Sequence, residues 1–463
     1  MKILQVVHFF LPRHSAGTEV YTDRLARTLL ERHDVAVLFA EKTLAQENYR
    51  HFIRDQHGLR CHVLINNLLY GGFRETFENL EVERRVDEIL RLEKPDLVHV
   101  QHLMNLSLGV VSLVKRRGIK AVMTLHDFWL FCARMGQLLE HGTELCTGPG
   151  ADKCSRCLQS FKFAQSPSQA RMIRMLAWTQ KRLGVSLDPW LDKARGKLRL
   201  PLGVAGKRTV RGRAFLEDRH DPQPEILEER ARQVARLISQ VDLFVAPSRT
   251  MMERSIEFGI PSEKIRLLPN GCLVSGDART PVHRRRSHVE FGFLGTPAPH
   301  KGLHVLIEAF RRLNSDRARL KVFGGPSRSQ MRYYHSLRKE AAGLPIEFLG
   351  PVPNHRIAEV FHSIDVLVVP STWVENSPVV IQEARWFKVP VIASRLGGMQ
   401  EAVEDGVDGL LFEPGDPSDL ATRIDELCKH PRRVDDFAGA CSPPMTMAEH
   451  AGTLERWYAE QLQ

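Results

Sequence analysis

No stretch of this chain reaches the roughly 18 consecutive apolar residues that a bilayer-spanning helix needs, which sets aside a helical membrane protein. Nor is a secretory leader expected from the first residues. The start, MKILQVVHFFLPRH, has a short apolar run that Pro12 and Arg13 cut, and no small-residue cleavage site follows. No D-x-D triad occurs, so no paired-aspartate seat for a divalent cation is implied. Acidic residues are scarce in one segment. Between Ser160 and Arg213 there are 13 basic residues against Asp188 and Asp192, a local net of +11 where the whole chain carries +10. The excess therefore sits in one place, where it suits phosphate-bearing surfaces such as lipid head groups. No nucleic-acid-binding motif accompanies it, and nucleic acid is not expected as a partner.

What is present is ordinary globular material. The 463 residues are 43% hydrophobic and 26% charged, which excludes a mostly disordered chain and suggests two or three domains. Strands and helices alternate over the first 130 residues. Apolar runs at Ile3–Phe10, Asp34–Phe39, Asp96–Gln101 and Lys120–Leu125 read as strands. A helix is predicted from about Thr18 to Arg32, with Val20, Leu25, Leu29 and Leu30 on one side. The alternation stops over about 132–230, a cysteine-containing and then basic helical insertion, and resumes at Asp242–Ser248 and Ile265–Gly271. Pro281–His288 reads as a linker. A second alternating set follows at Val289–Gly295, Leu320–Gly325, Ile346–Gly350, Asp365–Ser371 and Val389–Ser394.

The expected fold class is α/β, two doubly wound Rossmann-like domains facing across a cleft. Residues 1–280 would form the first domain and 281–445 the second, with a last helix over 446–463 packing back on the first. Ligands of such sheets sit beyond the carboxyl ends of the strands, which marks Phe9–Gly17 and His126–Trp129 as site candidates.

Three segments of the second half carry recognisable chemistry. In WVENSPVVIQEA, Glu375 and Glu383 lie eight positions apart, Ser377 suits a helix N-cap and Pro378 the first helical position. The free N–H groups of such a helix start attract phosphate, and carboxylates on either side of it suit sugar hydroxyls. The alternative is a capped helix with incidental acids. In RLGGMQE, Gly397 and Gly398 allow close backbone approach to an anion, though adjacent glycines also mark plain turns. In FLGTPAPHKGL, Lys301 stands at a helix start, where it neutralises a leaving diphosphate or is merely a surface lysine.

Taken in order, Glu375/Glu383, Gly397–Glu401, the run Lys301–Phe310, Ser248–Pro261 and Pro269–Gly271 resemble a family-4 retaining glycosyltransferase of the GT-B fold. The early run GTEVYTDRLARTL is similar to that family's N-terminal loop and helix. The resemblance implies a nucleotide-diphosphate sugar as donor, held mainly by the second domain, and a glycan or lipid-linked acceptor. Glu375 would contact sugar hydroxyls and Glu383 the ribose. Lys301 would hold the diphosphate with the backbone near Asn376, Ser377 and Pro378, and Gly350–Val352 would lie near the base. Gly17 would approach the diphosphate from the first domain and His126 would reach the donor sugar. Asp127 either orients that ring or caps the following segment. One position departs from the family: Thr296 stands where an arginine is common, and His300 or Arg395 are the cations left to compensate. The rival readings are a non-catalytic GT-B protein that binds a glycan or lipid, and a nucleotide-sugar epimerase of the same architecture.

Four of the eight cysteines, Cys132, Cys146, Cys154 and Cys157, space as C-x13-C-x7-C-x2-C. The tight final pair suits tetrahedral zinc, and two more thiolates would close a structural site; free thiols and a redox pair are the alternatives. A similar cysteine group follows a His-Asp-aromatic-Trp motif in some bacterial members of the resembled family. The scattered four fit reduced thiols of a cytoplasmic protein. Within the basic insertion, Met172, Met175, Leu176, Trp178 and Leu183 alternate with Arg and Lys, resembling an interfacial helix on an anionic membrane face. The alternative is a helix whose apolar side packs on its own domain.

Overall fold

The computed structural model describes residues 1–43, 46–142, 144–159, 161, 163, 167–183, 222–272, 274, 287–313, 315–327 and 330–463. Much of the expected basic insertion (184–221) and of the expected linker (281–286) lies outside them.

Two sheets form the frame. The first has eight strands: β1 (Lys2–Val7), β2 (Asp34–Glu41), β3 (His51–Gln56), β4 (Leu59–Ile65), β5 (Leu97–Val100), β6 (Lys120–Thr124), and, beyond a small hairpin of β7 (Leu139–Glu140) and β8 (Glu144–Leu145), β9 (Leu243–Ala246) and β10 (Ile265–Leu267). Its order is β10-β9-β6-β5-β1-β2-β4-β3, parallel throughout except for the edge strand β3 against β4. The second sheet has six parallel strands: β11 (Val289–Leu294), β12 (Ala318–Phe323), β13 (Ile346–Gly350), β14 (Val366–Val369), β15 (Val391–Ser394) and β16 (Gly409–Phe412), in the order β13-β12-β11-β14-β15-β16. Central strands such as β5, β9 and β14 are buried residue by residue, because helices cover both faces and leave no polar side.

Each sheet reverses direction once, and the reversals place the site. In the first sheet β1 has β2 on one side and β5 on the other; in the second β11 lies between β12 and β14. A crevice opens at each such reversal, beyond the carboxyl ends of the strands. The loops leaving β1 and β11 and the segment after β14 therefore carry the chemistry.

Helix Gly17–Leu30 buries Tyr21, Leu25, Ala26 and Leu29 on the first sheet, while Val20 and Leu30 are half-buried. The last helix, Met447–Leu462, lies on the same layer. Its Leu454 and Tyr458 are fully buried, the Tyr458 hydroxyl lies 2.6 Å from His99 Nδ1, and the Tyr21 hydroxyl lies 2.6 Å from His450 Nε2. A capping box of Thr446 and Glu449 starts that helix. No helix among the described residues is long and apolar enough to cross a membrane.

Candidate functional site

The segment after β14 folds around one carboxylate. Glu375 is buried, and its Oε1 accepts from Lys301 Nζ (2.5 Å), Trp373 Nε1 (2.7 Å) and Ser371 Oγ (2.9 Å). All three bonds fall on Oε1. Burial pushes this carboxyl up, but the Lys301 ammonium and the three donors outweigh burial and hold it below the usual range. The ammonium also lies 5.3 Å from the centre of the Trp373 ring. Lys301 stands here because Gly302 turns the chain. Its φ is +72°, and a Cβ on it would sit 1.7 Å from the Pro370 carbonyl oxygen.

The helix after this loop runs Val379–Trp386, with Pro378 at the cap position and no side-chain cap. The expected start was one residue earlier. Ser377 does not cap; its hydroxyl accepts from Gln382 Nε2 at 3.4 Å. Glu383, one turn in, bonds no described side chain, and burial raises its carboxyl to about 7. Gly397 and Gly398 act on the loop itself. The Gly398 N–H donates to the Glu375 carbonyl at 2.7 Å, and a Cβ there would meet the Asn376 carbonyl oxygen at 1.7 Å. Thr296 is exposed on the loop after β11. Neither expected substitute places a cation beside it: Arg395 is tied to Asp405 (2.7 Å) and Glu413 (3.6 Å), and His300 is held neutral, burial and then Lys301 lowering its ring to about 4.

The first domain presents His126. Its Nε2 lies 2.8 Å from Gln101 Oε1, an acceptor, so this nitrogen carries the hydrogen; Gln101 in turn donates to Gln5 Oε1 at 2.7 Å. Burial, with His102 adding, lowers the ring to about 3, so it is neutral at any physiological pH. Asp127 does not orient it. Asp127 accepts from the Trp129 N–H at 2.7 Å and pairs with His102 Nε2 at 3.2 Å, which settles that alternative in favour of capping.

The two domains meet around a cavity of ≈ 90 Å³ walled by Gly17, Thr18, Tyr21, His126, Asn270 and Ser377, among others. The starts of the Gly17–Leu30 and Val379–Trp386 helices both lie at this wall, and neither is capped by a side chain. Their partial positive ends converge, as an anion requires. Lys301, Glu375 and Glu383 are not on the wall of this small cavity. Three side chains tie the domains shut. Asn376 donates to the Leu125 carbonyl (2.7 Å) and accepts from Ser248 Oγ (2.7 Å). Gln382 donates to the Asn270 carbonyl at 3.0 Å. The Glu401 carboxylate accepts from the Arg249 and Thr250 N–H groups at 2.7 and 2.6 Å, capping helix Arg249–Glu257 of the opposite domain.

The expected zinc site is not formed. Among the described residues, no group of three or more His, Cys, Asp or Glu side chains could hold a metal ion. The thiols are served by nearby backbone instead: Cys146 donates to the Gly148 carbonyl, Cys157 accepts from the His141 N–H at 3.2 Å, and Cys154 accepts from the Gly150 N–H at 3.5 Å. Burial raises the Cys132 and Cys154 thiols, and the neighbouring cysteines add to the rise. All eight cysteines are free.

Sequence reasoning missed Trp373 and Ser371, which complete the Glu375 pocket, and Tyr21, whose ring lies 4.9 Å from His126. Trp373 stands inside WVENSP, so its presence was visible, but its partnership with Lys301 depends on a fold contact.

Residues 282–440 match the family described as glycosyl transferases group 1, and residues 15–184 match glycosyltransferase family 4. The chain is 32% identical over 245 residues to the D-inositol 3-phosphate glycosyltransferase of Stackebrandtia nassauensis, covering 48% of this chain and 54% of that one. With the enzyme of the same description from Frankia alni it shares 39% over 140 residues, 29% of this chain and 34% of that one. The chain thus spans about half, or less, of the length of these relatives. Among solved structures, sucrose-phosphate synthase from Thermosynechococcus elongatus superposes with a TM-score of 0.64 at 15% identity, over 99% of this chain and 98% of that one. Anabaena Alr3699/HepE in complex with UDP-glucose superposes at 0.62 and 16%, over 99% and 100%. At such identities the likeness is one of fold, and the fold is GT-B.

Proposed function

We propose that this chain, with its group 1 and family 4 glycosyltransferase domains, moves a sugar from a nucleotide-diphosphate sugar to an acceptor hydroxyl with retention at the anomeric carbon. The observation that carries the reading is the Lys301–Glu375 pair, whose acid stands on the loop that leads into an uncapped helix start facing Gly17 and His126. Residues 281–445 would bind the donor, residues 1–280 would face the acceptor, and the helix over 446–463 would brace the first domain.

In the reaction the bond from the anomeric carbon to the diphosphate oxygen breaks and one to the acceptor oxygen forms. The acceptor proton passes to the departing diphosphate on the same face, so no side-chain base is required. An ammonium has three N–H donors, and Glu375 engages one of those of Lys301, which leaves capacity for phosphate. Glu375 Oε2 takes no bond from a described residue and suits a sugar hydroxyl. Neutral His126, with its Nε2 hydrogen on Gln101, offers Nδ1 to another. Asn376, Ser377 and Pro378 shape the diphosphate seat at the helix start, Gly17 approaches it from across the cleft, and Gly397 and Gly398 hold the acid loop in place. Glu383 receives the ribose hydroxyls. Thr296 supplies a hydroxyl where the family often has a cation, which leaves Lys301 with more of the charge to neutralise.

The cavity of ≈ 90 Å³ is far below the roughly 300–1,000 Å³ of ligand sites, so it would take only part of a donor whose remainder lies toward Lys301, Glu375 and Glu383. Among the solved neighbours, Anabaena Alr3699/HepE is in complex with UDP or UDP-glucose, the E. coli trehalose-6-phosphate protein carries UDP-2-fluoro glucose and starch synthase IV carries ADP, while the named relatives are D-inositol 3-phosphate glycosyltransferases. These favour a uridine nucleotide and a hydroxyl-rich acceptor. We assign the acceptor to bacterial surface polysaccharide or glycolipid synthesis, a glycan or lipid-linked precursor reached from the cytoplasmic face of the membrane.

Thermal shift with a panel of nucleotide sugars would find the donor, because a ligand of the native state alone raises Tm. Release of labelled sugar, with and without acceptor extracts, would then report transfer. Glu375→Ala is expected to abolish it; undiminished turnover in that variant sinks the assignment.

A further inference from the structure

The helix Pro167–Leu183 contains no acidic residue. At 100° per residue, Arg171, Arg174, Met175, Trp178 and Arg182 fall on one side within roughly 100° of arc. All five are exposed, Met175 at 59% and Trp178 at 58%. Ile173 points the other way and is buried at 1%, with Met172 and Leu176 half-buried. The apolar residues read as one face from the sequence are thus divided. Ile173, Met172 and Leu176 face the protein, whereas Met175 and Trp178 stand outward among three guanidinium groups. The Arg182 guanidinium sits 5.1 Å from the centre of the Trp178 ring.

A helix used only for packing would turn its large side chains inward. A merely solvated helix would not present Trp and Met at its most exposed positions. Trp places an apolar body and an N–H at a boundary between oil and water, and Arg carries a long apolar stem with a charged tip. The helix itself carries the matching charge, with Arg171, Arg174, Lys181 and Arg182 and no acidic residue, a net of +4.

We propose that the face formed by Arg171, Arg174, Met175, Trp178 and Arg182 docks this chain on an anionic phospholipid surface, with Trp178 and Met175 entering the head-group layer. The proposal deepens, and rests on, the reading of the chain as a glycosyltransferase serving an acceptor at the inner membrane face. Each cation near such a surface contributes about fivefold to partitioning, so three account for roughly a hundredfold.

The test uses the full chain and vesicles of phosphatidylcholine alone or mixed with phosphatidylglycerol, read by flotation. The wild type is expected to float with the mixed vesicles and not with phosphatidylcholine, and high salt is expected to release it. R171Q/R174Q/R182Q is expected to lose roughly a hundredfold in partitioning. Trp178→Phe is expected to lose most of the fluorescence quenching that brominated lipid causes in the wild type. Equal binding to both vesicle types, undiminished flotation of the triple variant, or short RNA outcompeting the anionic vesicles would each overturn the proposal. Nucleotide-sugar thermal shift of the same variants keeps the two readings apart. Flotation lost from a wild type that still binds its donor removes the docking face alone. A wild type that floats but binds no nucleotide sugar removes the enzymatic reading.

Discussion

Replacing Lys301 by Met tests the electrostatic arrangement most directly. The change keeps the stem of the side chain and deletes the ammonium, leaving the Glu375 carboxylate buried with two neutral donors, Trp373 and Ser371. Breaking a buried ion pair costs about 3–5 kcal/mol. Here the lysine side chain is 31% exposed and the neutral donors remain, so about 2–3 kcal/mol is the expected loss at neutral pH. For a unit of domain size that corresponds to about 4–12 °C in Tm. In the wild type the Glu375 carboxyl is held low, so its stabilisation is complete above the unfolded pKa of about 4.3 and lost only as pH falls through the lower folded value. In the variant burial acts unopposed by the ammonium and raises the same group. Its penalty is then present at neutral pH and relieved as pH falls through the raised value. The gap in Tm between wild type and variant should therefore narrow from pH 7.5 to pH 5, and differential scanning fluorimetry at both values reads it. Turnover should fall by about 10²–10³, as for loss of one preorganised charge-stabilising group. A gap in Tm that is the same at both pH values, or turnover near wild type, refutes the reasoning.

Donor affinity should weaken below neutral pH, because Glu383 titrates near 7 in the free protein and ribose hydroxyls favour its ionised form; about a tenfold loss between pH 8 and pH 6 is expected in calorimetric Kd, and Glu383→Gln should flatten the profile. Gly302→Ala should cost about 3 kcal/mol or more in chemical denaturation, since the left-handed φ and the Pro370 carbonyl both reject a Cβ; a cost below 1 kcal/mol would show that the turn yields freely. Glu401→Ala removes the acceptor of two N–H bonds across the domains and should enlarge the radius of gyration in small-angle scattering without lowering helix content; an unchanged scattering curve would show the remaining ties suffice.

Most of the parallel framework was legible because its strands are short, almost wholly apolar runs punctuated by glycine and proline. The hairpin of β3 and β4 was not. β3, HFIRDQ, is an edge strand with no fully buried position and with Ile53 turned outward, so no alternation marks it unless its partner is known. β16, Gly409–Phe412, is hidden between the acidic, glycine-bearing turns EDGVD and EPGD, which read as loop. Within the site, Glu375, Lys301 and His126 were identifiable by residue type and place. Their states were not: the neutrality of His126 and His300 and the raised carboxyl of Glu383 come from burial by distant segments. The zinc expectation rested on spacing; the four thiols lie near enough to influence one another, but no metal-site geometry is met among the described residues, and backbone groups of the loops around Cys146 and Cys154 engage those sulfurs.

The segment Gly397–Glu401 has two attachments. At one end the Gly398 amide holds the carbonyl of Glu375; at the other the Glu401 carboxylate grips the Arg249–Glu257 helix of the opposite domain. A hinge movement that releases the second end pulls on the first. In the proposed reaction, opening for exchange of product and fresh donor would thus be geared to the backbone that carries Glu375, and the alignment there would be rebuilt with every closure.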